Sequence, residues 1–192
     1  MKTSSLLIGG LITLMSSSLY ASEMEMGKLM QLLGAHKHTR SEFVERKYVR
    51  LLDSPVESSG ELIFKAPLKL EKNTKLPRME NMLIEGNMVS IDRGSFKRSM
   101  VLEESGGINA LVQSLMSTFG GDQAGLEKYF AWTLMGPTNK WRLILKPKAS
   151  KLFVTLREIS LSGDNGYIHT VETTLTDGDR SLMTLSKPVA IQ

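Results

Sequence analysis

The 192-residue sequence contains no cysteine. That removes disulfides, thiol catalysis and cysteine-held zinc together, and it rules out anchoring through an N-terminal lipidated thioether. Aromatic residues make up only 6%, and the 24 basic residues are interleaved with 20 acidic ones. Despite a pI near 9.3, no Lys/Arg block with interspersed aromatics occurs, so no nucleic-acid partner is expected. Enzyme signatures are missing as well. There is no G-x-S-x-G elbow. Gly120-Gly121-Asp122 precedes a helical pattern but lacks the lysine and glycine spacing of a phosphate loop. His36 and His38 flank Lys37 and read as a polar loop rather than a metal site. His169, near Glu172, reads as a solvent-facing strand histidine. The carboxylate pairs Glu103/Glu104 and Asp177/Asp179 fall in turns. No catalytic residue, cofactor or metal is expected.

Long apolar runs are almost absent too. The exception is Leu6 to Met15, which follows Lys2 and precedes the small residues Ser16 to Ala21, the layout of an export signal. It is too short for the about 20 residues that a membrane span needs. The expectation is therefore a signal peptide over residues 1–21 and a single domain over 22–192 that works outside the cytoplasm. A domain of about 171 residues buries a sufficient core without covalent staples.

The chain is organised around Ser58 to Asp92. Gly60 opens an apolar run, Pro67 marks a break or an edge, and Leu68 to Leu70 follow. Glu71 to Glu80 reads as a charged, proline-containing segment. A hairpin then pairs Asn81–Ile84 with Met88–Asp92 through Glu85-Gly86-Asn87. Consecutive apolar residues, Leu62-Ile63-Phe64 and Met82-Leu83-Ile84, make this meander apolar on both faces, so it needs a cover.

Helical periodicity supplies one. Met26, Leu29, Met30 and Leu33 form a stripe within a helix predicted over Ser22–Gly34, with Gly34 as a left-handed cap. Ile108, Leu111, Val112, Leu115, Met116 and Phe119 follow the 3.6-residue period and end at Gly120-Gly121. A second short helix is predicted over Asp122–Tyr129. Strands are predicted over Thr39–Leu52, Ser95–Leu102, Phe130–Leu134, Trp141–Leu145, Leu152–Leu161, Tyr167–Leu175 and Ser181–Ser186, with Glu103–Gly107 a loop. Two blocks of antiparallel strands and few helices point to a mainly β, α+β architecture: an unclosed antiparallel barrel with helices over its concave face.

The order of several features resembles the LolA-type outer-membrane lipoprotein carriers, in a divergent LolA-like form. These features are Phe43 with Glu45, Gly60-x-Leu62-x-Phe64-x-x-Pro67, Leu68 and Leu70, the Gly86 hairpin, Trp141-x-Leu143-x-Leu145-x-Pro147 and the Gly163–Gly166 turn. The resemblance spans about Met24 to Pro188 and rests on order and spacing rather than on one motif. It implies a periplasmic carrier that shields acyl chains of a lipoprotein or another lipidated envelope component. Implied partners are an inner-membrane donor and an outer-membrane acceptor, with the carrier itself a monomer. The expected cavity wall is Leu62, Phe64, Leu70, Met82, Ile84, Ile91, Trp141 and Leu143. The expected lid is Met26, Leu29, Met30 and Leu33 with Ile108, Leu111, Leu115, Met116 and Phe119. The best-known carriers have an arginine just before the proline matched by Pro67, where it helps latch the lid. Here that residue is Ala66, so lid opening is expected to proceed without that latch.

Burying an acyl chain of ~16 carbons is worth on the order of 10 kcal/mol before costs, and Met, Leu and Ile suit such a non-directional site. Two other readings stand beside the carrier: a sensor or regulator of the same fold that holds a protein partner, and a structural adaptor whose stripes are permanently closed core.

Overall fold

The computed structural model describes residues 24–67, 69–102, 106–148 and 155–191, apart from the side chains of residues 106–108, 110 and 111. The expected signal segment Met1–Ala21, the loop residues 103–105, Leu68, and Leu152 and Val154 of one predicted strand lie outside the described residues. So do the side chains of Ile108 and Leu111.

Three helices and twelve strands are present among the described residues: α1 (Met26–Gly34), β1 (His38–Tyr48), β2 (Val56–Lys65), β3 (Lys69–Leu76), β4 (Glu80–Glu85), β5 (Met88–Asp92), β6 (Lys97–Val101), α2 (Gly106–Gly120), α3 (Gln123–Tyr129), β7 (Phe130–Met135), β8 (Trp141–Pro147), β9 (Leu156–Asp164), β10 (Tyr167–Leu175), β11 (Arg180–Leu185) and β12 (Val189–Ala190). All strands belong to one antiparallel sheet ordered β6-β5-β4-β3-β2-β1-β11-β10-β9-β8-β7, with β12 beside the start of β1. The two ends do not pair, so the barrel is unclosed as the sequence implies. The edge strands β6 and β7 are consecutive in the chain, separated only by α2 and α3. The helical insertion therefore leaves the sheet at one edge and rejoins it at the other.

Hairpins set the register. Glu85 faces Met88 across Gly86-Asn87, where Gly86 has φ +58, the left-handed backbone that a two-residue turn requires. Asn165 takes the corresponding role between β9 and β10 at φ 49. The charged segment expected as a connection, Glu71–Glu80, instead contributes most of β3. Leu70, Lys72 and Thr74 alternate on one face there, and each finds neighbours: Leu70 faces Phe64 and Ile84, Lys72 faces Leu62 and Met82, and Thr74 faces Gly60 and Glu80.

The helices pack on one another through small residues. Ser114, Ser117 and Thr118 of α2 are buried, with the Thr118 hydroxyl donating to the Ser114 carbonyl at 2.6 Å. Asp122 caps α3, its Oδ1 accepting from the Gly125 N–H at 2.9 Å. Gly34 does not act as the left-handed cap expected of it, since α1 ends on Ala35 in right-handed geometry. Its lack of a Cβ serves a contact instead. A Cβ at Gly34 would lie 3.0 Å from the Gly120 carbonyl oxygen, and one at Gly121 would overlap the Met30 carbonyl.

Candidate functional site

The inner face of the sheet is divided between two kinds of filling. From α3 and β7–β9, the side chains of Leu126, Phe130, Trp141, Leu143, Leu145, Ile159 and Leu161 are all almost fully buried and belong to one continuous core with α1. The opposite half of the sheet is buried too, with Leu62, Phe64, Leu70, Ile84 and Val89 in the same core, but it encloses open space. Between it and α2 lies a cavity of about 320 Å³, within the size range of small-molecule sites.

Register explains its wall. One row of partners runs Phe64–Leu70–Ile84–Val89–Met100 across β2 to β6. The row below it runs Leu62–Lys72–Met82–Ile91. From the other side come Val171 and Met183, paired with each other, and from above Val112, Leu115 and Phe119 of α2. Phe119 stacks on Phe64 with ring centroids 5.6 Å apart, which closes one end of the space.

Of the expected wall residues, Leu62, Leu70, Met82, Ile84 and Ile91 line this cavity. Phe64 lies behind Phe119 rather than on the lining. Trp141 and Leu143 are placed elsewhere, in the filled half, with the Trp141 indole N–H donating to the Asn165 carbonyl at 3.1 Å. Of the expected lid residues, Leu115 and Phe119 reach the cavity. Met26, Leu29, Met30 and Leu33 are buried in the core and do not line it. Met116 and Ala66 face a separate open cleft shared with Gly34, Gln113 and Asp122.

Sequence reading missed the polar end of the cavity. Lys47, Ser181 and Thr173 stand side by side through the β1–β11 and β11–β10 pairings. One level further in sits Glu45, only 5% exposed. Its Oε1 accepts from the Ser181 hydroxyl at 2.6 Å and lies 3.8 Å from Lys47 Nζ. Its Oε2 is held by Lys72 and lies 3.5 Å from the Ser58 hydroxyl. Lys72 belongs to β3 and Glu45 to β1, so the lysine must cross β2, where Gly60 leaves the inner face without a side chain. Its ammonium also lies 5.0 Å from the centre of the Phe43 ring, a favourable cation–π position. Burial pushes the Glu45 carboxyl up, but the charge and hydrogen bond of Lys72, the Ser181 hydroxyl and Lys47 outweigh it, and its pKa is held below the ordinary value. Glu45 lay within the motif that carried the resemblance. Its partners could not be found the same way, because they are distant in sequence.

No helix among the described residues is long and apolar enough to cross a membrane. The histidines sit away from the cavity: His36 stacks on Tyr167 with centroids 4.7 Å apart, and His169 Nε2 lies 2.5 Å from Asp164 Oδ2.

Solved structures of related shape include the following three. A LolA superfamily protein from Nitrosomonas europaea shares 10% identity over 87% of this chain and 92% of its own, with a TM-score of 0.48. The MucA/MucB complex of Pseudomonas aeruginosa contributes a chain with 12% identity and a TM-score of 0.46, matched over 87% of this chain but only 58% of its own. A putative outer membrane lipoprotein-sorting protein domain from Vibrio parahaemolyticus shares 8% identity over 86% of this chain and 93% of its own, with a TM-score of 0.44. No curated protein matches the sequence. The family model described as "Outer membrane lipoprotein carrier protein LolA-like" matches residues 19–190, nearly the whole chain, and the protein therefore belongs to the LolA-like family.

Proposed function

We propose that the protein is a periplasmic carrier that takes up acyl chains of a lipoprotein or another lipidated envelope component and moves them towards the outer membrane. One observation carries this reading: a largely apolar cavity of about 320 Å³ left unfilled between the sheet and α2. Empty apolar space is costly to maintain, because its lining forgoes contacts that a filled core would make. A cavity whose walls away from its polar end are Leu, Ile, Val, Met and Phe offers non-directional shelter to a chain and lets it go again. Transfer requires a membrane-bound donor and an acceptor, and the reading includes both.

Native mass spectrometry of the protein released gently from periplasm tests the proposal. Co-purifying lipid is the expected result and would identify the cargo. A stoichiometric protein partner in place of lipid would favour the sensor, and an empty protein that displaces no acyl probe would favour the adaptor. Fractionation with sequencing of the N-terminus tests location, and an intact Met1 start in the cytoplasm would overturn it.

A further inference from the structure

Among the described residues, the charged side chains of the cavity lining are Glu45, Lys47 and Lys72, and all three cluster at one end. Beyond them the lining is apolar as far as Phe119. The carboxylate of Glu45 is already served on both oxygens, by Ser181 and Lys47 on one and by Lys72 and Ser58 on the other. The lysines are not used up in this way. Each ammonium has three donors, and Lys47 is 53% exposed at the outer end of the cluster. Among the described residues, two positive charges against one negative give the head of an otherwise apolar cavity a net charge of +1 and spare donors. The Thr173 hydroxyl adds to them.

We infer that the cavity selects amphiphiles with an anionic head, a carboxylate or a phosphate ester, seated at Lys47, Lys72 and Thr173 with the chain extending beneath α2. The inference rests on the carrier reading and narrows its cargo. A neutral ester of the same chain gains the apolar burial but not the charge-assisted hydrogen bonds. An amine brings a like charge against two lysines and is rejected.

The test is competition against a neutral fluorescent probe, N-phenyl-1-naphthylamine, using dodecyl compounds of one chain length: laurate, dodecyl phosphate, methyl laurate and dodecylamine. Inorganic phosphate serves as a head without a chain. Laurate, dodecyl phosphate or both are expected to displace the probe at about tenfold lower concentration than methyl laurate, with dodecylamine weakest and inorganic phosphate inert. Whichever of the two acids gains assigns the head as carboxylate or phosphate. In Lys47→Gln, a substitution at a half-exposed side chain that the fold tolerates, the preference for acid over ester should shrink to about twofold or less. Equal displacement by acid and ester, or an unchanged preference in Lys47→Gln, overturns the anionic-head inference and leaves the carrier reading standing. Failure of every dodecyl compound to displace the probe overturns both.

Discussion

Replacing Lys72 by Met should invert the contribution of Glu45 to the pH dependence of stability. The substitution keeps an unbranched chain over Phe43 but removes the charge that faces Glu45. In the native protein the Glu45 carboxyl titrates below its ordinary value. A lowered folded-state pKa contributes stability that is present above the ordinary carboxylate range and is lost as pH falls through the folded value. Without Lys72, burial is the dominant remaining influence, since Lys47 is 3.8 Å away and half exposed. The Glu45 pKa then rises above the ordinary value, and the same group destabilises the protein increasingly as pH rises through that range. Breaking one partner out of a buried pair costs about 3–5 kcal/mol near neutrality. Near pH ~4, where the variant binds a proton at Glu45, only about 1 kcal/mol of hydrogen bonding should separate the two proteins. Urea denaturation followed through the buried Trp141, repeated from about pH 4 to about pH 7, measures this directly. The double variant Glu45→Gln/Lys72→Met should recover most of the loss at neutral pH. A gap between native and single variant that stays constant with pH, or a double variant no more stable than the single, would refute the electrostatic reasoning.

Other substitutions separate cavity from core. Leu115→Trp fills open space beneath α2, so binding of an acyl probe should vanish while the melting temperature holds; overpacking a true core would instead cost about 1–3 kcal/mol and leave binding intact. Trp141→Phe should behave oppositely, losing roughly 1–3 kcal/mol of stability with probe affinity unchanged, because Trp141 lies in the filled half. Gly60→Ala should cost at least about 2 kcal/mol, since a Cβ there would overlap the Asn73 carbonyl; an unaltered urea midpoint would show that the β2–β3 pairing adjusts freely.

Periodicity and turn chemistry made most elements legible. The stripe through Val112, Leu115, Met116 and Phe119 identified α2, and Gly86-Asn87 fixed a hairpin, because both signals are local. β3 was missed because Lys69–Leu76 carries three lysines and a glutamate, and the inward turn of Lys72 is licensed by Glu45, two strands away. Alternation grouped Trp141, Leu143 and Leu145 on one face of their strand, and all three are buried. It could not say whether that face meets a packed core or open space, a distinction made by helices placed elsewhere in the chain. Gly34 carried a similar ambiguity: a glycine at a helix end reads as a backbone cap, yet here it provides clearance for a second helix.

That clearance bears on how the cavity would accommodate chains of different length. The C-terminal end of α2 meets α1 at Gly34, Met30 and Gly121, where the two backbones leave no room for a Cβ at Gly121 and only a tight fit for one at Gly34. A helix held at one end answers pressure from below by rotating about the held end. Fifteen residues span about 22 Å, so a rotation of about 10° lifts the far end by about 4 Å and Leu115 by little more than 1 Å. Paired spin labels on the first turn of α2 and on β5, read with short- and long-chain probes, would register this as a distance that grows with chain length. Equal displacement at both ends of α2 would count against it. On the proposed carrier reading, the length of a chain held inside would then be displayed outside as an angle, which a docking protein touching only the far end of α2 could read.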